Sequence, residues 1–104
     1  MVQTSEVSAS PVEVNGELWV LTHMVNARTC AHYLHIWVVL EKESFKPLKA
    51  SRPFFFRNKG IEYCLGVCSA KEGKELQCFV SVLDRESWVG RFDVKELQKL
   101  MMPV

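Results

Sequence analysis

Hydrophobic and polar residues alternate most regularly between His32 and Glu41, in the segment HYLHIWVVLE. A two-residue period places neighbouring side chains on opposite faces of a β-strand. Both faces of this strand are largely apolar, with Leu34, Ile36, Val38 and Leu40 on one and Tyr33, His35, Trp37 and Val39 on the other. A strand with two apolar faces is expected at the centre of a sheet that is covered on both sides.

Turn residues divide the rest of the chain into further segments with strand character. Asn15-Gly16 is typical of a hairpin turn, and Gly73 lies at the centre of a second turn, residues 71–74. Charges and prolines mark residues 41–53 as a connector with one irregular strand around 45–48. The predicted strands are residues 18–25, 32–41, 54–56, 61–69, 76–83 and 87–92.

The last residues follow a helical pattern, which predicts one short helix from Val94 to about Met101. Asp93 is suited to cap its N-terminus, and Glu96 completes a capping box. Strands in hairpin order followed by one helix predict an all-β, mainly antiparallel fold. We expect a flexible N-terminal segment, residues 1–10, followed by a single β-rich unit, residues 11–104.

Charge and composition argue against several classes of function. A formal net charge of +1 supplies no long-range field to attract nucleic acid or an anionic membrane. No apolar run reaches the roughly 18 residues that span a bilayer, and the polar first residues do not form a signal peptide. The four cysteines include no CxxC pair, so we expect reduced thiols and a cytoplasmic location. The second hairpin would allow Cys68 to face Cys78.

Four segments of the chain carry a resemblance to a known family. They read GELWVLTH, HYLHIWVVLE, SRPFFFRNKGIEYCLGV and VSVLDRESWVGRFDVKEL. In this order they resemble the C-terminal part of the five-bladed β-propellers of glycoside hydrolases and mannoside phosphorylases, which are often joined to bacterial and viral glycosyltransferases. The resemblance implies a partial propeller of about two blades with one C-terminal helix. Two positions differ, because the family commonly has Glu after the first histidine and Arg after the second, where this chain has Met24 and Ile36.

Candidate site residues lie within these motifs. Hydrolysis of a sugar bond needs two carboxyl groups roughly 5 to 9.5 Å apart, and Glu62 and Asp84 are the candidate catalytic pair. Both are predicted near strand ends, where a turn hydrogen bond is the commoner role of such residues. The candidate substrate-binding residues are His23, His35, Tyr63 and Trp88, while Trp37 is expected in the core. We expect no cofactor and no metal, since His32 and His35 point to opposite faces of one strand.

The preferred interpretation is a carbohydrate-active propeller fragment that acts on a glycan or a sugar phosphate. The fragment is expected to need self-association, or a fused or partner domain, because two blades do not close a ring. Two alternatives stay open. One is a noncatalytic β-sheet interaction module that self-associates through exposed edge strands. The other is a small closed barrel or sandwich that binds a ligand between its sheet and the terminal helix.

Overall fold

The computed structural model describes residues 5–7, 9–26, 32–56, 62–82 and 86–104. These residues form two antiparallel β-sheets and one short helix. The all-β, mainly antiparallel fold class is therefore confirmed, whereas the division into propeller blades stays a prediction. Among the described residues, no helix is long and apolar enough to cross a membrane.

The first sheet has six strands, which are β1 Ser5–Val7, β2 Val12–Val14, β3 Glu17–Asn26, β4 His32–Glu41, β5 Pro47–Ala50 and β9 Met102–Pro103. Their order is β1-β3-β4-β5-β9, and β2 also pairs with β3. The turn that joins β2 to β3 has positive φ at Asn15, 50°, and at Gly16, 81°, as the Asn-Gly pair predicts. Strand β1 thus lies within the segment that the sequence assigns to a flexible lead-in.

Strand β4 occupies the centre of this sheet, between β3 and β5, as its two apolar faces predict. One face is fully buried and carries His35, Trp37 and Val39. The opposite face is half-buried, as at Ile36 and Val38. The strand is therefore central, but only one of its faces is enclosed by the described residues.

The second sheet is a three-stranded meander, in which β6 Glu62–Ala70 pairs with β7 Glu75–Val82 and β7 pairs with β8 Glu86–Asp93. The predicted hairpin between β6 and β7 is confirmed, and its turn places Lys71, Glu72 and Gly73 at positive φ. The register of this hairpin shifts between Cys64 and Gly66. After this β-bulge, the alternation of core-facing and outward-facing side chains along β6 is shifted by one residue.

The two sheets pack face to face around one hydrophobic core. Trp37 is completely buried, as predicted, and its ring meets Trp19 edge-on with 6.3 Å between the ring centres. The core also receives Val94 and Leu97 from the helix α1 Val94–Lys99. The other buried members are Val14, Leu21, Val39, Cys64, Leu76, Cys78 and Val80. Because both sheets contribute, neither has a dry core without the other.

Two predicted elements differ from the structure. Helix α1 ends at Lys99, because the Leu100 N–H donates to the Leu97 carbonyl in a tighter last turn. The predicted N-cap is confirmed, since Asp93 accepts the Glu96 N–H at 3.0 Å. The predicted strand 54–56 is wrong apart from one bridge between Phe54 and His35. It ends there because the Phe56 N–H donates to the Glu62 side chain and not to a neighbouring strand.

Candidate functional site

The candidate site lies where the two long strands of the first sheet meet the start of β6. His23 on β3 and His35 on β4 are directly opposite each other in the antiparallel register, and both face the core. Glu62 begins β6 in the second sheet, and its side chain is 2% exposed. The site is therefore assembled from both sheets.

The Glu62 carboxyl is held by two neighbours within the protein. Its Oε1 atom accepts the Phe56 N–H at 2.8 Å, which orients the carboxyl and also ends the segment before β6. The same oxygen lies 3.8 Å from His35 Nε2, which is longer than a hydrogen bond and becomes an ion pair only if the imidazole is protonated. A buried carboxyl needs such partners because water does not reach it.

His35 lies inside an aromatic shell and is completely buried. The ring centres of Phe56 and Phe54 lie 4.6 Å and 5.8 Å from that of the imidazole. Burial, with a smaller contribution from the charge of His23, lowers the pKa of His35 to about 4. The imidazole is therefore neutral at neutral pH, and among the described residues neither ring nitrogen has a hydrogen-bond partner.

Tyr63 connects this interior to the surface. Its ring packs on the ring of His23 with 5.3 Å between the centres, and Tyr63 is 41% exposed whereas His23 is 5% exposed. On another side of the shell, Trp88 packs edge-on against Phe56 at 5.8 Å. The cluster thus runs from an exposed tyrosine, through two histidines and a carboxyl, to a half-buried tryptophan.

Five of the predicted site residues come together in this cluster, namely Glu62, His23, His35, Tyr63 and Trp88. The sixth, Asp84, lies outside the described residues, so the separation of the predicted carboxylate pair stays untested. Sequence reasoning missed the role of Phe54 and Phe56 as the wall around His35. A glycine within a strand often marks the close approach of another side chain, and Gly90 is such a residue. A Cβ at position 90 would lie 3.0 Å from Phe56 Cδ1.

Burial limits which side chains of the cluster can take part in binding or catalysis. Neither the Glu62 carboxyl nor the His35 imidazole reaches the surface, so these two groups position their neighbours and do not contact solvent. Tyr63 is the member that a ligand can touch. In the part of the chain that the structure describes, no three His, Cys, Asp or Glu side chains are grouped so that they could hold a metal ion.

The cysteine that faces Cys78 is not Cys68, which the sequence suggested, and the described cysteines are free thiols. Cys78 interacts with Cys64, whereas Cys68 is exposed on the other side of the strand. The bulge between Cys64 and Gly66 is the reason, because it changes the register and pairs Cys68 with Gln77. The hydrogen bond with Cys64, followed by burial, raises the pKa of the Cys78 thiol, which therefore stays protonated.

Comparison with protein-family models, with curated proteins and with solved structures finds no match to this chain. The interpretation of the site therefore depends on its own geometry and on the motifs of the sequence.

Proposed function

We propose that this chain is a carbohydrate-active module of the propeller type and that its own contribution is glycan binding. The observation that supports this proposal is the gathering of five motif residues, from four separate strands, into one cluster that reaches the surface at Tyr63. A cytoplasmic location with reduced thiols belongs to the same proposal. Because Glu62 is buried, the proposal gives it a positioning role, and the catalytic pair Glu62 and Asp84 stays a prediction of the sequence resemblance.

Tyr63 is the proposed platform for the sugar. An aromatic ring offers an apolar face to the C–H groups of a sugar, and its hydroxyl adds a hydrogen-bonding group at the edge. The ring of His23 supports Tyr63 from below, so the platform is held in one orientation. Glu62 and His35 are positioning residues in this proposal, because they brace the segment between Phe54 and Phe56.

The proposal is tested by titrating the chain with mannobiose and with mannose 1-phosphate, followed by NMR chemical shifts. We expect saturable shifts around Tyr63 and His23, and Tyr63→Ala should weaken binding about tenfold, as expected for loss of one stacking contact of roughly 1.5 kcal/mol. Phe79→Ala is the matched control, because Phe79 is 43% exposed on the same sheet. Equal weakening by both substitutions, or no shift near Tyr63, would contradict the proposal.

A second candidate function is a noncatalytic interaction module that self-associates. It is favoured by apolar side chains on the outer face of the second sheet, where Phe79 pairs with Val89. Both are 43% exposed, and Leu65 beside them is 65% exposed. The half-buried outer face of β4 adds a second apolar surface on the opposite side of the molecule. Monomeric proteins rarely expose large contiguous apolar surfaces.

The solution mass tests this candidate. If the outer faces associate, light scattering coupled to size-exclusion chromatography should give a multiple of 12.0 kDa at high concentration. Phe79→Lys should lower the mass to that of one chain, because a charge would then be buried in the contact. Lys95→Glu on the exposed side of α1 is the control and should leave the mass unchanged. A concentration-independent monomer would exclude self-association.

A further inference from the structure

A groove separate from the histidine cluster lies beside helix α1. It has a volume of about 640 Å³ and runs between residues 51–54, the end of β8, the helix and the segment that contains β9. This volume is within the range of roughly 300–1,000 Å³ that holds one small organic ligand. The groove goes beyond the proposed function, because neither Tyr63 nor His23 lines it.

The lining of the groove is mainly apolar. Phe54 and Phe92 form an aromatic wall, with 5.6 Å between their ring centres. Leu97 supplies a buried side chain from the helix, whereas Leu100 and Met102 line the groove while 66% and 46% exposed. Two large exposed hydrophobic residues beside an aromatic wall provide a surface that an apolar ligand would cover.

The charges around the groove favour an anion. Three basic residues line the groove, Arg52, Arg91 and Lys99, against two acidic ones, Asp93 and Glu96, so the charge of the lining is slightly positive. Asp93 accepts the Glu96 N–H at 3.0 Å, and Glu96 lies 3.4 Å from Lys99 Nζ. Among the described residues, neither Arg52 nor Arg91 makes a short ion pair with a carboxylate, although the Gln77 hydrogen bond and, to a smaller extent, the charge of Arg91 lower the pKa of Glu75.

We propose that this groove binds a small amphiphilic carboxylate, with an alkyl or aryl body on the Phe54–Phe92 wall and the head group near Arg52 and Arg91. A guanidinium presents two parallel N–H donors, which match the two oxygens of a carboxylate. The apolar body would cover Leu100 and Met102. The ligand matches the two properties of the lining, an apolar surface and two arginines that make no short ion pair with a carboxylate among the described residues.

The test is a titration of the ¹⁵N-labelled chain with decanoate below its micelle concentration. We expect saturable amide shifts at Phe92, Leu97 and Leu100. Decyltrimethylammonium, which has the same alkyl length and the opposite charge, should bind at least about tenfold more weakly, because the arginines would repel it. Equal binding of the two probes, or shifts confined to the outer face of the second sheet, would overturn the proposal.

Substitutions locate the head group and the apolar body. Arg52→Gln and Arg91→Gln should each weaken decanoate binding about fivefold, as expected for one partly exposed charge-assisted hydrogen bond. Leu100→Glu should abolish binding by placing a like charge in the groove, whereas Leu65→Glu, at an equally exposed position outside it, should have no effect. Equal effects of the two leucine substitutions would contradict the location. Mannobiose binding is measured on the same variants, so the two proposals succeed or fail separately.

Discussion

The histidine cluster and the groove beside α1 share Phe54 but differ in the burial of their polar groups. Phe54 packs against His35 on the inner side and lines the groove on the outer side. On the inner side, Glu62 and His35 are almost completely buried and their environment is aromatic. On the outer side, Arg52, Arg91 and Lys99 are exposed. Phe92 also lines the groove and packs against Phe56 of the shell, so Phe54 and Phe92 separate a dry environment from a wet one.

The comparison shows how burial decides the role of a polar group. In the dry cluster, the Glu62 carboxyl accepts a backbone N–H and stays near a histidine, because an unpartnered buried group is costly. At the groove, Glu96 and Lys99 form an exposed pair that contributes little to stability. Substitutions in the cluster should therefore change stability, and substitutions at the groove should mainly change ligand binding.

The largest expected effect is a loss of stability on mild acidification, caused by His35. Its pKa is about 4 in the folded chain and near 6.5 when unfolded, so between these values the unfolded state binds more protons. Stability should be greatest above pH 6.5 and should fall by up to about 3 kcal/mol as the pH drops to 4. Urea unfolding at successive pH values measures this change.

The control for this prediction is His35→Phe, which removes the buried imidazole and keeps an aromatic ring of similar size. Its stability should vary less between pH 6.5 and 4 than that of the original chain. The pKa values of Glu41 and Glu75 are also lowered in the folded chain. Their contribution to stability is lost at a lower pH than that of His35, because these carboxylates become protonated only below about pH 4.5. An unchanged pH profile in His35→Phe would show that His35 is not the cause.

A smaller effect is expected at the groove, from the cap of α1. Asp93→Ala should lower the free energy of unfolding by about 1 kcal/mol, since the Glu96 N–H loses its acceptor. Asp93→Asn retains an oxygen at this position and should lose much less. Thermal unfolding compares the two variants at pH 7. If both variants lose the same stability, the loss comes from the charge of Asp93 and not from the capping oxygen, which contradicts the prediction.

Much of the fold could be predicted from local patterns. The strand His32–Glu41 has the predicted bounds because its alternation is uninterrupted, and the Asn15-Gly16 turn follows from residues that accept positive φ. In the second turn only Gly73 is such a residue, although Lys71 and Glu72 also adopt positive φ there. The strand at 54–56 was predicted wrongly because three phenylalanines have strong strand propensity whatever their backbone does. The Phe54 backbone pairs with that of His35, but the Phe56 N–H donates to the side chain of Glu62, which no local pattern indicates.

The candidate site was predictable in its members but not in its geometry. The resemblance of the motifs pointed to His23, His35, Glu62, Tyr63 and Trp88, and the structure brings them together. Nothing in the motifs indicated that the Glu62 carboxyl turns inward. One alternative from the sequence placed a ligand between the sheet and the terminal helix, where the groove lies, but the groove's residues were not predicted, because residues 51–54 and 91–102 meet only in the folded chain.

The sequence by itself determined the long strands, the positions of the hairpin turns, the capped helix and the apolar faces, since each depends on neighbours within a few residues. Only the tertiary structure decided which cysteine meets Cys78, how His35 loses its contact with water, and that Phe54 and Phe92 form the wall between cluster and groove. The physical reason is that burial and register between distant strands depend on how the two sheets pack, and packing is a property of the whole chain.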